Sequence, residues 1–108
     1  MKAVVVISGD KVSFTSSTYQ VTGGIYIGSV IAEGSDKGMP YGDFTVCLPD
    51  VPLNENEVIV PKYKLYGEAY VRFKEALVEE ELYDVKHSFA TSRVVRLKPN
   101  WKELTTEL

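Results

Sequence analysis

Short apolar or alternating segments, separated by turn residues, dominate the first half of the chain. Residues 2–7 are almost continuously apolar and β-branched, and residues 11–16 alternate, with Val12 and Phe14 on one face. The Ser-Gly-Asp sequence at residues 8–10 supplies turn chemistry between these two segments. The pattern therefore predicts an N-terminal β-hairpin.

Three further strands are predicted before residue 61, at residues 25–33, 41–48 and 57–60. Gly28 lies inside the first of them, which predicts a bulge or a close approach of another group to the backbone. In the second strand, alternate side chains are predicted to point inward, namely Phe44, Val46 and Leu48. Two prolines between the second and third strands indicate a loop.

The hydrophobic period becomes helical from Gly67 to about Glu79. One apolar stripe at helical spacing is formed by Ala69, Tyr70, Phe73, Ala76 and Leu77. Arg72 follows Glu68 by four residues, an order that favours an ion pair on a helix. The acidic run at 79–81 is disfavoured by the helix dipole at a C-terminus, so we expect the helix to end there.

Two more strands are predicted at residues 82–86 and 93–98, joined by a connection over residues 87–92. Beyond them, Asn100 with Glu103 three residues later predicts a capping box and a short C-terminal helix. The docked face of that helix is predicted to carry Trp101, Leu104 and Leu108.

These elements predict an α+β fold, with an antiparallel sheet of about six to seven short strands, one central helix packed on it and a short C-terminal helix. The 108 residues suffice for one core, so we expect a single domain over residues 1–108. The longest apolar stretch near the start is too short for a signal peptide, and no stretch approaches the ~20 residues of a membrane span. With a single cysteine, the chain is expected to be cytoplasmic, without a membrane partner.

Charge is unevenly distributed along the chain, although the net charge is only −3. Residues 1–60 hold three Lys against seven Asp or Glu, whereas residues 61–108 hold nine Lys or Arg against eight acids. General DNA binding needs a broad basic face, and this balance argues against it. A local basic patch remains compatible with the composition.

The sequence offers little catalytic or metal-binding chemistry. The chain contains one cysteine, Cys47, and one histidine, His87, which excludes a structural zinc site. Cys47 is predicted to be a buried, inert strand residue rather than a nucleophile paired with His87. The aspartates are scattered over turns, and the glycines at 23–28 lead into a strand without the Lys-Ser or Lys-Thr of a phosphate loop. We therefore expect no enzyme, no metal and no cofactor.

Two windows combine basic and aromatic residues. Residues 61–74 carry a net charge of +3, and residues 86–102 contain five basic residues and no acid. If the windows adjoin, they form a phosphate-binding surface with tyrosines that stack on bases; alternatively they lie apart, with solvated lysines and a core Tyr70. Tyrosines equally suit a protein-binding surface. The candidate surface residues are Lys62, Tyr63, Lys64, Tyr66, Arg72, Lys74, Arg93, Arg96, Lys98 and Tyr41.

The middle of the chain reads GMPYGDFTVCLP at residues 38–49 and VPLNENEV at residues 51–58. This Gly-x-Pro-Tyr pattern, followed by a strand, a loop and a short strand, resembles small uncharacterised proteins of bacterial phages and mobile elements. The resemblance covers residues 25–97 and implies an accessory gene of a mobile element. Such accessory proteins are often counter-defence factors that bind a host immune component.

From these features we expect a non-catalytic inhibitor that contacts a host immune effector, such as a CRISPR nuclease, in the cytoplasm of a bacterial host cell. One alternative is a nucleotide-binding protein that sequesters an immune signalling nucleotide. A second alternative is a housekeeping interaction module. A homodimer is also compatible with the sequence, because the N-terminal strand can pair with a copy of itself if it lies at a sheet edge.

Overall fold

The predicted α+β class is confirmed. The computed structural model describes residues 1–88 and 90–108, and within them the chain forms eight strands, two α-helices and a 3₁₀ turn. In chain order the elements are β1 (Val4–Ile7), β2 (Asp10–Thr18), β3 (Ile25–Ile31), β4 (Pro40–Asp43), β5 (Glu57–Pro61), the 3₁₀ turn (Lys62–Lys64), α1 (Glu68–Leu77), β6 (Val78–His87), β7 (Ala90–Leu97), α2 (Trp101–Leu104) and β8 (Thr106–Glu107). None of the helices in this part of the chain is long and apolar enough to cross a membrane.

The strands divide into two sheets rather than the single sheet predicted. The first sheet has the antiparallel order β1-β2-β3-β4, and β8 pairs in parallel with β2 beside β1. The predicted β1–β2 hairpin is confirmed, with Val4 opposite Ser13 and a turn in which Ser8 and Gly9 have positive φ. The second sheet has the order β5-β7-β6, also antiparallel.

The segment after β4 links the two sheets and is not the continuous strand predicted for residues 41–48. The Phe44 backbone N–H donates to Ile27 of the first sheet (2.9 Å), and the Val46 N–H donates to Ile59 of the second (2.9 Å). Because successive donors serve strands in different sheets, no regular ladder extends beyond Asp43. Of the three side chains predicted to point inward, Phe44 is buried and the other two are half-buried.

The core contains side chains from both sheets and from α1. Phe44 and Phe73 stack with ring centroids 4.9 Å apart, and Phe14 meets both rings edge-on at 5.6 and 6.1 Å. The predicted apolar stripe of α1 lies against this cluster, with Tyr70, Phe73 and Leu77 buried. The helix α1 stabilises the fold by burying Tyr70, Phe73 and Leu77. Removal of their apolar surface from water is favourable, and the contacts between aromatic rings add a further stabilisation.

The helix α1 ends at Leu77 and the chain continues directly as a strand. Val78 is already extended, with φ −99° and ψ 128°. The helix is shorter than predicted: it ends before the acidic run at 79–81, and these acids lie in strand β6, which begins at Val78 rather than at residue 82. The predicted connection over residues 87–92 is also shorter, since β6 reaches His87 and β7 begins at Ala90; Phe89, which that connection includes, lies outside the described residues.

The C-terminal helix forms as predicted, but its cap and its face differ from the prediction. Trp101 is buried and its indole Nε1 donates to Asn56 Oδ1 at 3.0 Å, which docks α2. The Asn100 side chain makes no capping hydrogen bond; its backbone oxygen accepts from Glu103 instead. Leu108 is 76% exposed, because the helix stops at Leu104 and helical spacing no longer applies to the residues of β8.

The close approach of another group to the Gly28 backbone is confirmed, and the group is the Tyr26 side chain. The Tyr26 side chain folds back along β3 and donates its hydroxyl to Asp43, so that a Cβ on Gly28 would lie only 2.2 Å from the Tyr26 oxygen. A register irregularity in the β3–β4 pairing follows between Ser29 and Val30. Glycine at this position is therefore explained by the space that Tyr26 occupies.

Candidate binding surface

The two arginines of the second basic window are occupied by carboxylates of β6. Arg93 Nε lies 2.8 Å from Asp84 Oδ1, and its Nη1 lies 2.7 Å from Glu81 Oε2. Arg96 binds Glu79 at 2.9 Å through Nε and also pairs with Glu80. Since each guanidinium already holds two acids, neither presents a free fork to a phosphate group.

Glu81 is the centre of a network that joins β6, β7 and α1. Its Oε2 accepts from the Tyr70 hydroxyl at 2.7 Å, and Lys74 Nζ lies 3.4 Å from its Oε1. The hydrogen bonds from Tyr70 and then from Arg93 lower the pKa of Glu81 to about 2. Burial and then the hydrogen bond to Glu81 raise the pKa of Tyr70. Tyr70 and Lys74 thus hold α1 against Glu81 of the second sheet, while Arg93 joins the same acid to β7.

Arg72 and Lys98 are also engaged within the fold. Arg72 pairs with Glu75 at 2.9 Å and, more distantly, with Glu68 at 3.8 Å, which is the ion pair expected from the sequence. Lys98 donates to the backbone oxygen of Glu75 at 2.8 Å in the last turn of α1. Tyr41 donates to the Ile7 oxygen at 3.3 Å, beside the core.

The remaining candidates converge on a groove at one end of the second sheet, with a volume of about 690 Å³. Pro61 ends β5 and is followed by the 3₁₀ turn, on which Lys62 and Tyr63 are exposed and Lys64 is half-buried. Because Pro61 pairs with Ser92, the pairing brings this turn next to the β6–β7 end. The groove, which we call the tyrosine groove, is lined by Val46, Pro61, Lys62, Tyr63, Tyr66, His87, Ala90, Thr91 and Ser92.

Two exposed tyrosines, Tyr63 and Tyr66, line the groove. Tyr63 is 77% exposed and Tyr66 is 69% exposed, so their rings present large amphipathic surfaces to solvent. Lys64 Nζ lies 5.9 Å from the Tyr63 ring and 5.9 Å from the Phe44 ring, at cation–π range of both. On the opposite wall, His87 Nε2 and the buried Ser92 Oγ are hydrogen-bonded at 2.8 Å. This hydrogen bond holds the His87 ring in place, whereas the exposed tyrosine rings are accessible to a partner.

The groove is lined by residues from both basic windows, but none of the arginines of these windows is among the described lining residues. Among the predicted surface residues, Lys62, Tyr63 and Tyr66 line it. The lining residues that sequence reasoning missed are Val46, Pro61, His87, Ala90, Thr91 and Ser92. The signal that locates them is the β5–β7 pairing of Pro61 with Ser92, a contact between distant parts of the chain.

A second cleft, of about 560 Å³, lies where the 18–25 segment, the 46–59 segment and α2 meet. Cys47 lines this cleft, half-buried and outside any strand, with its sulfur 3.7 Å from Thr22 Oγ1, so the predicted buried strand position is wrong. His87 lines the tyrosine groove instead. In the described residues, no group of three or more His, Cys, Asp or Glu is arranged to hold a metal ion.

Comparison of this chain with protein-family models, with curated proteins and with solved structures finds no match.

Proposed function

We propose that this protein is a non-catalytic binding protein that acts by protein–protein contact through the tyrosine groove. In this proposal it is a counter-defence inhibitor from a phage or mobile element, and it covers a functional surface of a host immune effector, such as a CRISPR nuclease, in the bacterial cytoplasm. The sequence pattern of residues 38–58 supports the mobile-element context. The groove supports the mode of action.

The observation that carries the proposal is the exposure of Tyr63 and Tyr66 around an apolar groove. Tyrosine provides a large contact area and loses little conformational entropy on binding, so it is enriched at protein interfaces. The groove lining includes Val46, Pro61 and Ala90, which supply apolar surface to a partner. Arg93 and Arg96, which could otherwise bind a phosphate bidentately, are held by acids of β6.

A plasmid-interference assay tests the proposal. Bacteria that carry an active CRISPR nuclease receive a targeted plasmid together with the wild-type protein, the variant Tyr63→Ser/Tyr66→Ser or the control Tyr83→Ser, whose tyrosine is 47% exposed on β6 outside the groove. We expect the wild type and the control to restore plasmid uptake, and the groove variant to lose at least about tenfold of that effect, which corresponds to one hot-spot contact. Equal activity of all three proteins would refute the role of the groove, and no activity of the wild type across a panel of effectors would refute the proposed inhibitor.

A nucleotide ligand is the second candidate, and one observation favours it. Lys62 stands beside Tyr63 and Tyr66, an arrangement that can stack on a base and meet a phosphate. Cyclic oligonucleotides should then raise the melting temperature of the wild type and leave that of the Tyr63→Ser/Tyr66→Ser variant unchanged. No stabilisation across such a panel would remove this candidate.

A further inference from the structure

The charges around the tyrosine groove indicate the chemistry of its partner. Lys62 lines the groove, Lys64 lies against Tyr63, and Lys86 is exposed opposite Thr91 of the groove wall. In the part of the chain that the structure describes, these three lysines form no salt bridge. The rim of the groove is therefore positive, although the protein as a whole carries a net charge of −3.

The acids near this rim do not neutralise it. No Asp or Glu is among the described residues that line the groove. Asp84 is close enough to Lys62 for the lysine charge to help lower the aspartate pKa, but the hydrogen bond from Arg93 is the larger cause. Arg93 shares its charge between Asp84 and Glu81, but Asp84 forms its salt bridge with Arg93 and not with Lys62, so the Lys62 ammonium remains available to a partner.

We infer that the tyrosine groove binds an extended segment of a partner protein in which apolar or aromatic side chains are flanked by carboxylates. The apolar side chains of this segment enter between Tyr63 and the Ala90 wall, and its carboxylates meet the lysines of the rim. This inference rests on the proposed protein-binding function and adds the chemical class of the partner.

The apolar lining of the groove and the loss of both arginines to ion pairs together favour a peptide over a nucleic acid. Both arginines of the second window hold carboxylates, so bidentate recognition of a phosphate is already blocked. The cations that remain are lysine ammonium groups, which act as point charges. Point charges of this kind pair with carboxylates along a peptide, and the apolar lining of the groove, with Val46, Pro61 and Ala90, receives the apolar side chains of that peptide. The complementary charge mainly sets partner choice and association rate.

Fluorescence polarisation with labelled octapeptides tests the inference. The first peptide alternates glutamate with leucine and phenylalanine, and two matched peptides carry glutamine or lysine in place of every glutamate. We expect the acidic peptide to bind the wild type about tenfold more tightly than the lysine peptide, with the difference shrinking as salt is raised. The variant Lys62→Glu/Lys64→Glu should reverse this preference, whereas Lys37→Glu, at an exposed turn outside the groove, should preserve it.

Equal affinity for the three peptides, or tighter binding of an oligothymidylate of the same length, would overturn the inference. The plasmid-interference assay separates this failure from failure of the proposed function. If Tyr63→Ser/Tyr66→Ser abolishes inhibition while the peptides show no charge preference, the protein-binding function stands and the acidic-partner inference is refuted. If the peptides bind as expected but no effector is inhibited, the inference stands and the counter-defence role is refuted.

Discussion

Arg93 on β7 reaches across the second sheet to Glu81 on β6, with Nη1 2.7 Å from Oε2. The same carboxylate oxygen accepts the Tyr70 hydroxyl from α1. One acid therefore ties the helix to the sheet. This is also the reason that the second basic window does not form a phosphate-binding surface with free arginines.

Acid should weaken the fold through Glu81. The folded-state pKa is about 2, below the ordinary value of 4.5, so the ionised carboxylate stabilises the folded state. That stability is fully present above about pH 4.5 and is lost as the pH falls from 4.5 towards 2. Because the side chain is partly solvent-exposed, we expect a contribution of only about 1 kcal/mol.

Urea unfolding at a series of pH values measures this contribution. Glu81→Gln should be less stable than the wild type at pH 7, and the two stability curves should converge below pH 2.5 or so. Glu55→Gln, at an exposed loop acid outside the network, should track the wild type throughout. Parallel curves for wild type and Glu81→Gln between pH 7 and pH 2 would contradict the assignment.

Removal of the Tyr70 hydroxyl should weaken the same network from the helix side. Tyr70→Phe keeps the buried ring and deletes only the donor to Glu81, so we expect a loss of about 1 kcal/mol in the free energy of unfolding. It should also raise the pKa of Glu81, measured from its carboxyl carbon by NMR. The exposed Tyr83→Phe is the matched control, and an unchanged Glu81 pKa in Tyr70→Phe would rule out the hydroxyl as a cause.

Local patterns in the sequence account for most of the elements but not for the groove. The stripe of Tyr70, Phe73 and Leu77 lies within ten residues, so its period alone predicts α1 and its buried face. The groove depends on Pro61 pairing with Ser92, and nothing local in either segment encodes that pairing. Sequence reasoning therefore found the exposed tyrosines but missed the wall opposite them.

The charges were predicted less well for a related reason. The sequence predicts that the acids at 79–81 mark the end of the helix, whereas the structure extends them along β6 beside Arg93 and Arg96 of β7. Cross-strand pairing converts an apparently free basic window into a set of ion pairs. Lys62 and Lys64 form no such cross-strand ion pairs, because they lie on the 3₁₀ turn and not in the sheet.

Gly28→Ala should destabilise the protein by displacing Tyr26. The added methyl group would lie 2.2 Å from the Tyr26 oxygen and 3.1 Å from Thr15 Oγ1, so the tyrosine must leave its hydrogen bond to Asp43. We expect a cost of about 1 kcal/mol, the loss of one hydrogen bond, because the half-exposed Tyr26 side chain can move aside. Burial and the hydrogen bond to Asp43 raise the pKa of Tyr26 to about 12, and this pKa should fall towards 10 in the variant.

Ultraviolet titration and thermal unfolding provide the two readouts. In a Tyr26→Ala background the same Gly28→Ala change should cost much less, because the clashing ring is absent. Gly42→Ala is the control, since its Cβ would meet only Lys64 Nζ at 3.5 Å, an ordinary contact. An equal cost of Gly28→Ala in both backgrounds would assign the glycine to backbone requirements instead.

The outer edge of β1 should become a self-association site when α1 no longer covers it. Arg72 Nε donates to the Val6 oxygen at 3.3 Å, and the Ser8 N–H donates to Glu68 Oε1 at 3.1 Å, so two side chains of α1 occupy backbone groups that face away from β2. Unpaired edge groups are templates for pairing with another chain. We therefore expect Glu68→Ala/Arg72→Ala to form dimers or larger species at concentrations at which the wild type sediments as a smaller species.

Sedimentation velocity measures this difference, with Lys37→Ala as the surface control. Adding Val6→Pro to the double variant removes a backbone donor from the strand and should reverse the self-association. If the double variant sediments as the wild type does, the two side chains are not what protects this edge.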